Sequence, residues 1–188
     1  LFSGHYPVPL PLVLGHEIVG RVVEVGSETD KVWVGRRVVT EINNTCRGRC
    51  LETLCVACDR GLENHCFNRT VLGIINADGG YAEYVRVPVH NLHTLPVQIS
   101  SEQGVFVEPL AAAIRTFDVT PIQATTRVVV LGAGRLGLLI CGVAARLKAQ
   151  VCIVSRSRQK LRRAQAWGAA MTVSAAEPEW TSAVRAWT

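Results

Sequence analysis

The sequence predicts an α/β protein: a mostly β first part, then the opening of a doubly wound parallel sheet. Three observations predict it. Valine-rich runs bounded by glycine occupy residues 17–26 and 33–39, as strands do. RVVVLGAG, from residue 127, reads as a buried strand entering a glycine turn, and an apolar helix follows. Near residue 120 the short strands give way to strand–helix alternation, so two domains are expected, at 1–118 and 119–188.

In order along the chain, EIVGRVVEVG (17–26) and WVGRRVV (33–39) are the first strands. Between 40 and 70 the periodicity disappears, and a loop of that length needs something to hold it. Strand patterns return at 71–75, 81–87 and 91–95, with NADGG (76–80) as a turn between two of them. SSEQGVF opens a helix from a serine cap. Pro109 is expected to break or kink that helix, because proline has no N–H to give. RLGLLICGVAARLKA is a helix, QVCIVSRS a strand, 158–167 a helix, MTVSAA a third strand, and the last residues a helix.

Composition narrows the function. Hydrophobic residues make up 48% of the 188-residue chain, enough for a packed core, and no apolar run is long enough to span a bilayer. Pro7, Pro9 and Pro11 interrupt the apolar start, so no secretory signal is expected. The chain begins at Leu1 and not at methionine, so it is expected to be processed, truncated or a fragment. The net charge is +5, with arginines concentrated after residue 126. These form a solvated basic face or a pocket for a phosphorylated cofactor. Aromatics are only 6% and do not interleave with a basic stripe, which argues against nucleic acid. Membrane partners are not expected either.

Seven cysteines are present, five of them between Cys46 and Cys66. Cys141 and Cys152 sit apart in apolar segments and read as small buried hydrophobes. A reducing cytoplasm is expected, where clustered cysteines favour metal over disulfides. Cys55-x2-Cys58-x7-Cys66 has metal-ligand spacing, and zinc in a closed structural site takes four such ligands. The fourth comes from Cys50 or Cys46, and the shorter spacer favours Cys50. Free thiols or a disulfide pair are the bland alternative.

GHE places His16 and Glu17 just before the first strand, and VEPLAAA places Glu108 in an apolar stretch. A buried carboxylate needs a partner or a metal. An arginine partner or a helix-capping role would serve Glu108 equally, and a lone histidine is usually structural. Together the three could supply an open metal site, in which a position is left for water or substrate.

Gly132-x-Gly134-x-x-Gly137 follows a strand and opens a helix, with Arg135 and Leu136 between its glycines. That context reads as a dinucleotide-binding turn, with the pyrophosphate at the helix N-terminus. Ser155-Arg156-Ser157-Arg158 ends the next strand where an acid would bind the ribose of NAD. A serine followed by arginines suits a 2′-phosphate, so NADP is favoured over NAD. Surface charges at a helix start are the plain alternative.

Taken in order, PLVLGHEIVGRVVEVG, the cysteine-rich lobe, DGGYAEY (78–84), EPLAAA and VVVLGAGRLG resemble the medium-chain, zinc-dependent alcohol dehydrogenases, of the sorbitol- and threonine-dehydrogenase type. The resemblance implies a partial GroES-like β domain followed by the first part of a Rossmann domain. It implies hydride transfer between an alcohol or carbonyl substrate and NAD or NADP, with both structural and catalytic zinc. His16 would then be a catalytic-zinc ligand, Glu17 the neighbouring glutamate that can move onto the metal, and Glu108 the third-ligand position. Cys55, Cys58 and Cys66 would match structural-zinc cysteines, and Gly132, Gly134 and Gly137 the cofactor loop. Full-length members are homo-oligomers.

Three departures stand out. The family's leading catalytic cysteine lies upstream of GHYPVPLPLVLGHE. Glu52 replaces a cysteine of the evenly spaced lobe, and Cys50 sits two residues early. The parallel sheet ends after about three strands, where the family has about six. A general acid–base group is not readable; His5 and His65 are available but unplaced. Two other readings are a non-enzymatic remnant that keeps structural zinc, and a zinc-ribbon nucleic-acid binder, which leaves the glycine turn and EPLAAA without a role.

Overall fold

The computed structural model describes residues 10–188; His5, Pro7 and Pro9 lie outside the described residues. The chain divides into two units, Leu1–Glu108 and Pro109–Thr188. That division falls earlier than the boundary drawn from the sequence, at the first turn of a helix.

In the first unit, β1 (Val19–Arg21), β2 (Arg37–Thr40) and β6 (Leu92–Thr94) form an antiparallel sheet in the order β1-β2-β6. A second sheet joins β3 (Asn43–Asn44), β4 (Thr70–Leu72) and β5 (Asn76–Ala77). The strands are shorter than the valine pattern suggests. Trp33 closes a 3-10 turn over Glu28–Trp33, and Gly35 follows at φ +81°, so β2 starts only at Arg37. Residues 81–87 form no strand. The N–H groups that lead into them are directed elsewhere: Gly79 donates to Val13 O at 2.8 Å, Gly80 to Gly15 O at 2.8 Å and Tyr81 to Leu14 O at 2.9 Å.

The loop between β3 and β4 carries α1 (Val56–Asp59) and a 3-10 turn at Glu63–His65. Buried Cys46, Cys58 and Cys66 form its core, with Leu54 and Cys55 packed against them.

Ser100 caps α2 (Ser101–Gly104) through a capping box with Gln103: Ser100 Oγ accepts from Gln103 N at 3.2 Å, and Gln103 Oε1 accepts from Ser100 N at 3.0 Å. The helical run breaks after Gly104, not at Pro109, and α3 (Val107–Val119) passes through the proline. Pro109 is the third residue of that helix, where the backbone N–H has no intrahelical partner to lose.

The second unit is a parallel sheet in the order β7-β8-β9, from β7 (Arg127–Leu131), β8 (Gln150–Ser155) and β9 (Met171–Ser174), with Val129 opposite Cys152 and Val154 opposite Val173. Helices α4 (Arg135–Arg146), α5 (Arg158–Ala166) and α6 (Trp180–Trp187) alternate with the strands. β8 is buried on both faces, as the central strand of a parallel sheet must be. Val151 and Ile153 pack with Cys141 and Ala144 of α4 and with Leu161 and Ala164 of α5. Cys152 and Val154 pack with Val173, Trp180 and Trp187 on the α6 side. Cys141 and Cys152 are fully buried, as their apolar surroundings predict. At the C-terminal end of α6, Arg127 donates to the carbonyls of Trp187 and Thr188 and sets its guanidinium 5.7 Å from the Trp187 ring centroid.

Candidate functional site

Two groups of metal-ligating side chains assemble in the first unit. In one, the sulfurs of Cys46, Cys55, Cys58 and Cys66 all lie within 4.8 Å of one another. Cys46 and Cys66 are 3.5 Å apart, and Cys55 and Cys66 3.9 Å. Four thiolates around zinc at about 2.3 Å make a tetrahedron with edges of about 3.8 Å, so this set fits the ion. The separations are far beyond a disulfide bond.

The fourth member is Cys46, not Cys50, and the backbone explains why. Leu51 N donates to Cys46 O at 3.0 Å and Cys50 N to Arg47 O at 2.9 Å. That pair of bonds is a Schellman turn, and it puts Cys50 at the left-handed position with φ 52°. The turn leaves Cys50 exposed while its first residue, Cys46, is fully buried in the cluster. α1 ends in the same motif, with Gly61 at φ 74°.

The backbone prepares these sulfurs unequally. N–H groups of Cys58 and Phe67 hold the Cys55 thiol down at about 6. The N–H of Cys55 lowers Cys46 against the opposing effect of burial. Burial pushes Cys58 up to about 12, so a metal would have to displace a proton there.

The second group is His16, Glu17 and Glu108, each offering a ligand atom within 4.8 Å of the others. His16 and Glu108 are half-buried and Glu17 is exposed. Burial raises the Glu108 carboxyl above its usual range; His16 opposes this, and Glu17 and Glu41 add to it. An imidazole and two carboxylates suit a divalent ion with a coordination position left open.

DGGYAEY supplies the support for His16. Besides the backbone bonds from Gly79, Gly80 and Tyr81, Asp78 Oδ1 accepts from Val13 N at 2.9 Å. The backbones touch here: a Cβ on Gly79 would lie 2.7 Å from Gly73 Cα, and one on Gly73 2.7 Å from Gly15 N. Only glycine permits that approach, which fixes the segment ending at His16. His65 is exposed in the 3-10 turn and is not a member of this group.

The glycine turn lies in the second unit. Gly132, at φ 109°, donates to Val154 O at 2.9 Å, and its own carbonyl leaves no room for a Cβ on Gly137. Gly134 is the N-cap of α4, with no side chain satisfying the first-turn N–H groups and open space where a Cβ would stand. Those free donors suit a phosphate. A cleft of about 510 Å³ runs from Gly132 and Gly134 past Ser155 and Arg156 to Lys160 and Trp180. Arg135 and Leu136, expected at the cofactor, are exposed in the first turn of α4 and do not line it. Arg158 turns away to Glu177 at 3.4 Å. Sequence reasoning missed Lys160, whose N–H caps onto Ser157 Oγ; its place in the first turn of α5, after Arg156, was the available signal.

Comparison with known proteins agrees with this architecture. The family model described as the alcohol dehydrogenase GroES-like domain matches residues 1–97. Sorbitol dehydrogenase from Halalkalibacterium halodurans is 35% identical over 86% of this chain and 45% of its own length. L-threonine 3-dehydrogenase from Shewanella woodyi is 32% identical over 92% of this chain and 48% of its own. A protein assigned as a zinc-binding dehydrogenase from Sinorhizobium meliloti 1021, solved bound to NADP, superposes with a TM-score of 0.83 at 37% identity, over 92% of this chain and 49% of that one. The chain spans a little under half the length of these curated relatives. Among the described residues no helix is long and apolar enough to cross a membrane.

Proposed function

Since this chain belongs to the alcohol dehydrogenase GroES-like domain family, we propose that it is part of a zinc-dependent oxidoreductase that moves hydride between an alcohol or polyol and NAD(P). Residues 1–118 are the metal-binding domain and 119–188 the nucleotide domain, a division that keeps nearly all of α3 with the first. His16 and Glu108 hold the catalytic ion, and Glu17, the exposed member, exchanges onto it or tunes it. Cys46, Cys55, Cys58 and Cys66 hold a structural ion that pins the lobe. When bound, zinc supplies a Lewis acid to the substrate oxygen and the nicotinamide supplies the hydride chemistry. Gly132 and Gly134 receive the pyrophosphate against the free N–H groups of α4. Ser155, Arg156 and Lys160 face the ribose end of the cleft, where two cations and no acid favour NADP over NAD. The protein works in the cytoplasm, as a homo-oligomer, on a small-molecule alcohol or carbonyl.

The observation that carries this reading is the His16–Glu17–Glu108 group on the same chain as a nucleotide turn. The test is binding of 2′,5′-ADP against 5′-AMP. A charge-assisted hydrogen bond to the extra phosphate is expected to favour 2′,5′-ADP by about tenfold or more, and Arg156→Asp to remove the preference. No binding of either nucleotide by a zinc-loaded chain would overturn the dehydrogenase reading.

A further inference from the structure

Cys46 reaches the sulfur cluster from outside the Cys55–Cys58 turn, and besides the Cys55 N–H its thiolate has a side-chain donor. That donor is Asn68, whose Nδ2 reaches Cys46 Sγ at 3.6 Å. Asn68 is itself held, because Arg49 Nη2 donates to its main-chain carbonyl. Arg49 Nε is buried and has no hydrogen-bond partner among the described residues. Its neighbour Arg47 is committed to Glu63 at 3.6 Å and to Cys58 O at 3.1 Å. Among the described residues no carboxylate pairs with Arg49 in this way. A guanidinium cannot shed its charge, and a partly buried one needs an anion. Four thiolates around a divalent cation carry net negative charge, and Asn68 links Arg49 to that cluster through Cys46.

We propose that Asn68 and Arg49 are positioning residues for a four-sulfur zinc centre. Asn68 orients the Cys46 thiolate, and Arg49 fixes Asn68 while offsetting the charge of the cluster. Together they hold in place the sulfur that the Schellman turn has already directed into the cluster. The inference rests on the zinc reading of this cluster and says nothing of the nucleotide.

The experiment uses the whole chain, with cobalt(II) as the spectroscopic probe and zinc competed against a chromophoric chelator. Asn68→Leu keeps the shape and removes the N–H···S bond. Zinc affinity is expected to fall by about 10–100-fold, as for other outer-shell changes, and the thiolate-to-cobalt charge-transfer band to move to lower energy. A part played only in packing would lower thermal stability without moving that band. Arg49→Gln is expected to lose more affinity than Arg49→Lys, which keeps the charge. A cobalt band and zinc affinity unchanged in Asn68→Leu, or Arg49→Gln binding zinc as well as Arg49→Lys, overturns the proposal. Wild-type chain with no four-sulfur cobalt spectrum overturns it together with the structural-zinc reading.

Discussion

Cys46 Sγ stands 3.5 Å from Cys66 Sγ across a gap of twenty residues, while Cys50, four residues nearer to Cys66 in sequence, is exposed. Changing the two cysteines should therefore have opposite results. Cys46→Ser is expected to lose the structural ion. Cys50→Gly should keep it, and its melting point should be unchanged or higher. A left-handed L-residue costs about 1–2 kcal/mol, most of which glycine's looser unfolded state offsets. Zinc content per chain and a thermal melt of each variant check both statements.

The contact between Gly79, Gly73 and the Gly15 backbone makes a second prediction. Gly79→Ala forces a Cβ to within 2.7 Å of Gly73 Cα, and overpacking of this kind costs about 1–3 kcal/mol. The displaced segment ends at His16. Metal analysis should show the His16–Glu17–Glu108 ion lost while the four-sulfur ion stays.

Glu108 gives the metal-free chain a pH signature. Burial raises its carboxyl above the unfolded value, so the folded state holds a proton that the unfolded state releases. The contribution of Glu108 to stability is then fully present below the ordinary carboxylate range and is lost as pH rises through the raised value. Urea midpoints of chelator-treated wild type should decline across that window relative to those of Glu108→Gln. A wild-type midpoint that rises relative to Glu108→Gln would reverse the sign assigned to burial.

Arg127 ties the start of β7 to the end of α6. Its cation over Trp187 contributes about 0.5–1 kcal/mol, and its charge at the helix C-terminus about 0.3–1 kcal/mol. Arg127→Ala should destabilise the second unit by about 1 kcal/mol, these contacts being on the surface. Trp187 fluorescence should report the change before the far-ultraviolet signal of the sheet does.

The second unit was legible almost residue by residue. RVVVLGAG, QVCIVSRS and MTVSAA each carry a buried-strand pattern, and the parallel order follows from the helices between them. The first unit was less so. Tyr81–Val87 alternates like a strand, but neighbouring N–H groups pair with residues 13–15, and composition does not encode that choice. His16, Glu17 and Glu108 were readable by residue type, and the fold brings them together. The fourth sulfur was not readable, because spacer length says nothing of a left-handed residue at position 50. Lys160 was hidden for a similar reason: it reaches the cleft through the geometry of a helix start.

The two cysteines of the second unit lie on opposite sides of one sheet, Cys141 among the α4 and α5 contacts and Cys152 under α6, both without exposed surface. They are built-in clocks for the opening of the two layers. A maleimide pulse followed by peptide mass analysis times each layer separately. If α6 peels off alone, Cys152 is labelled while Cys141 stays dark; if the unit opens as a whole, both take the label at one rate.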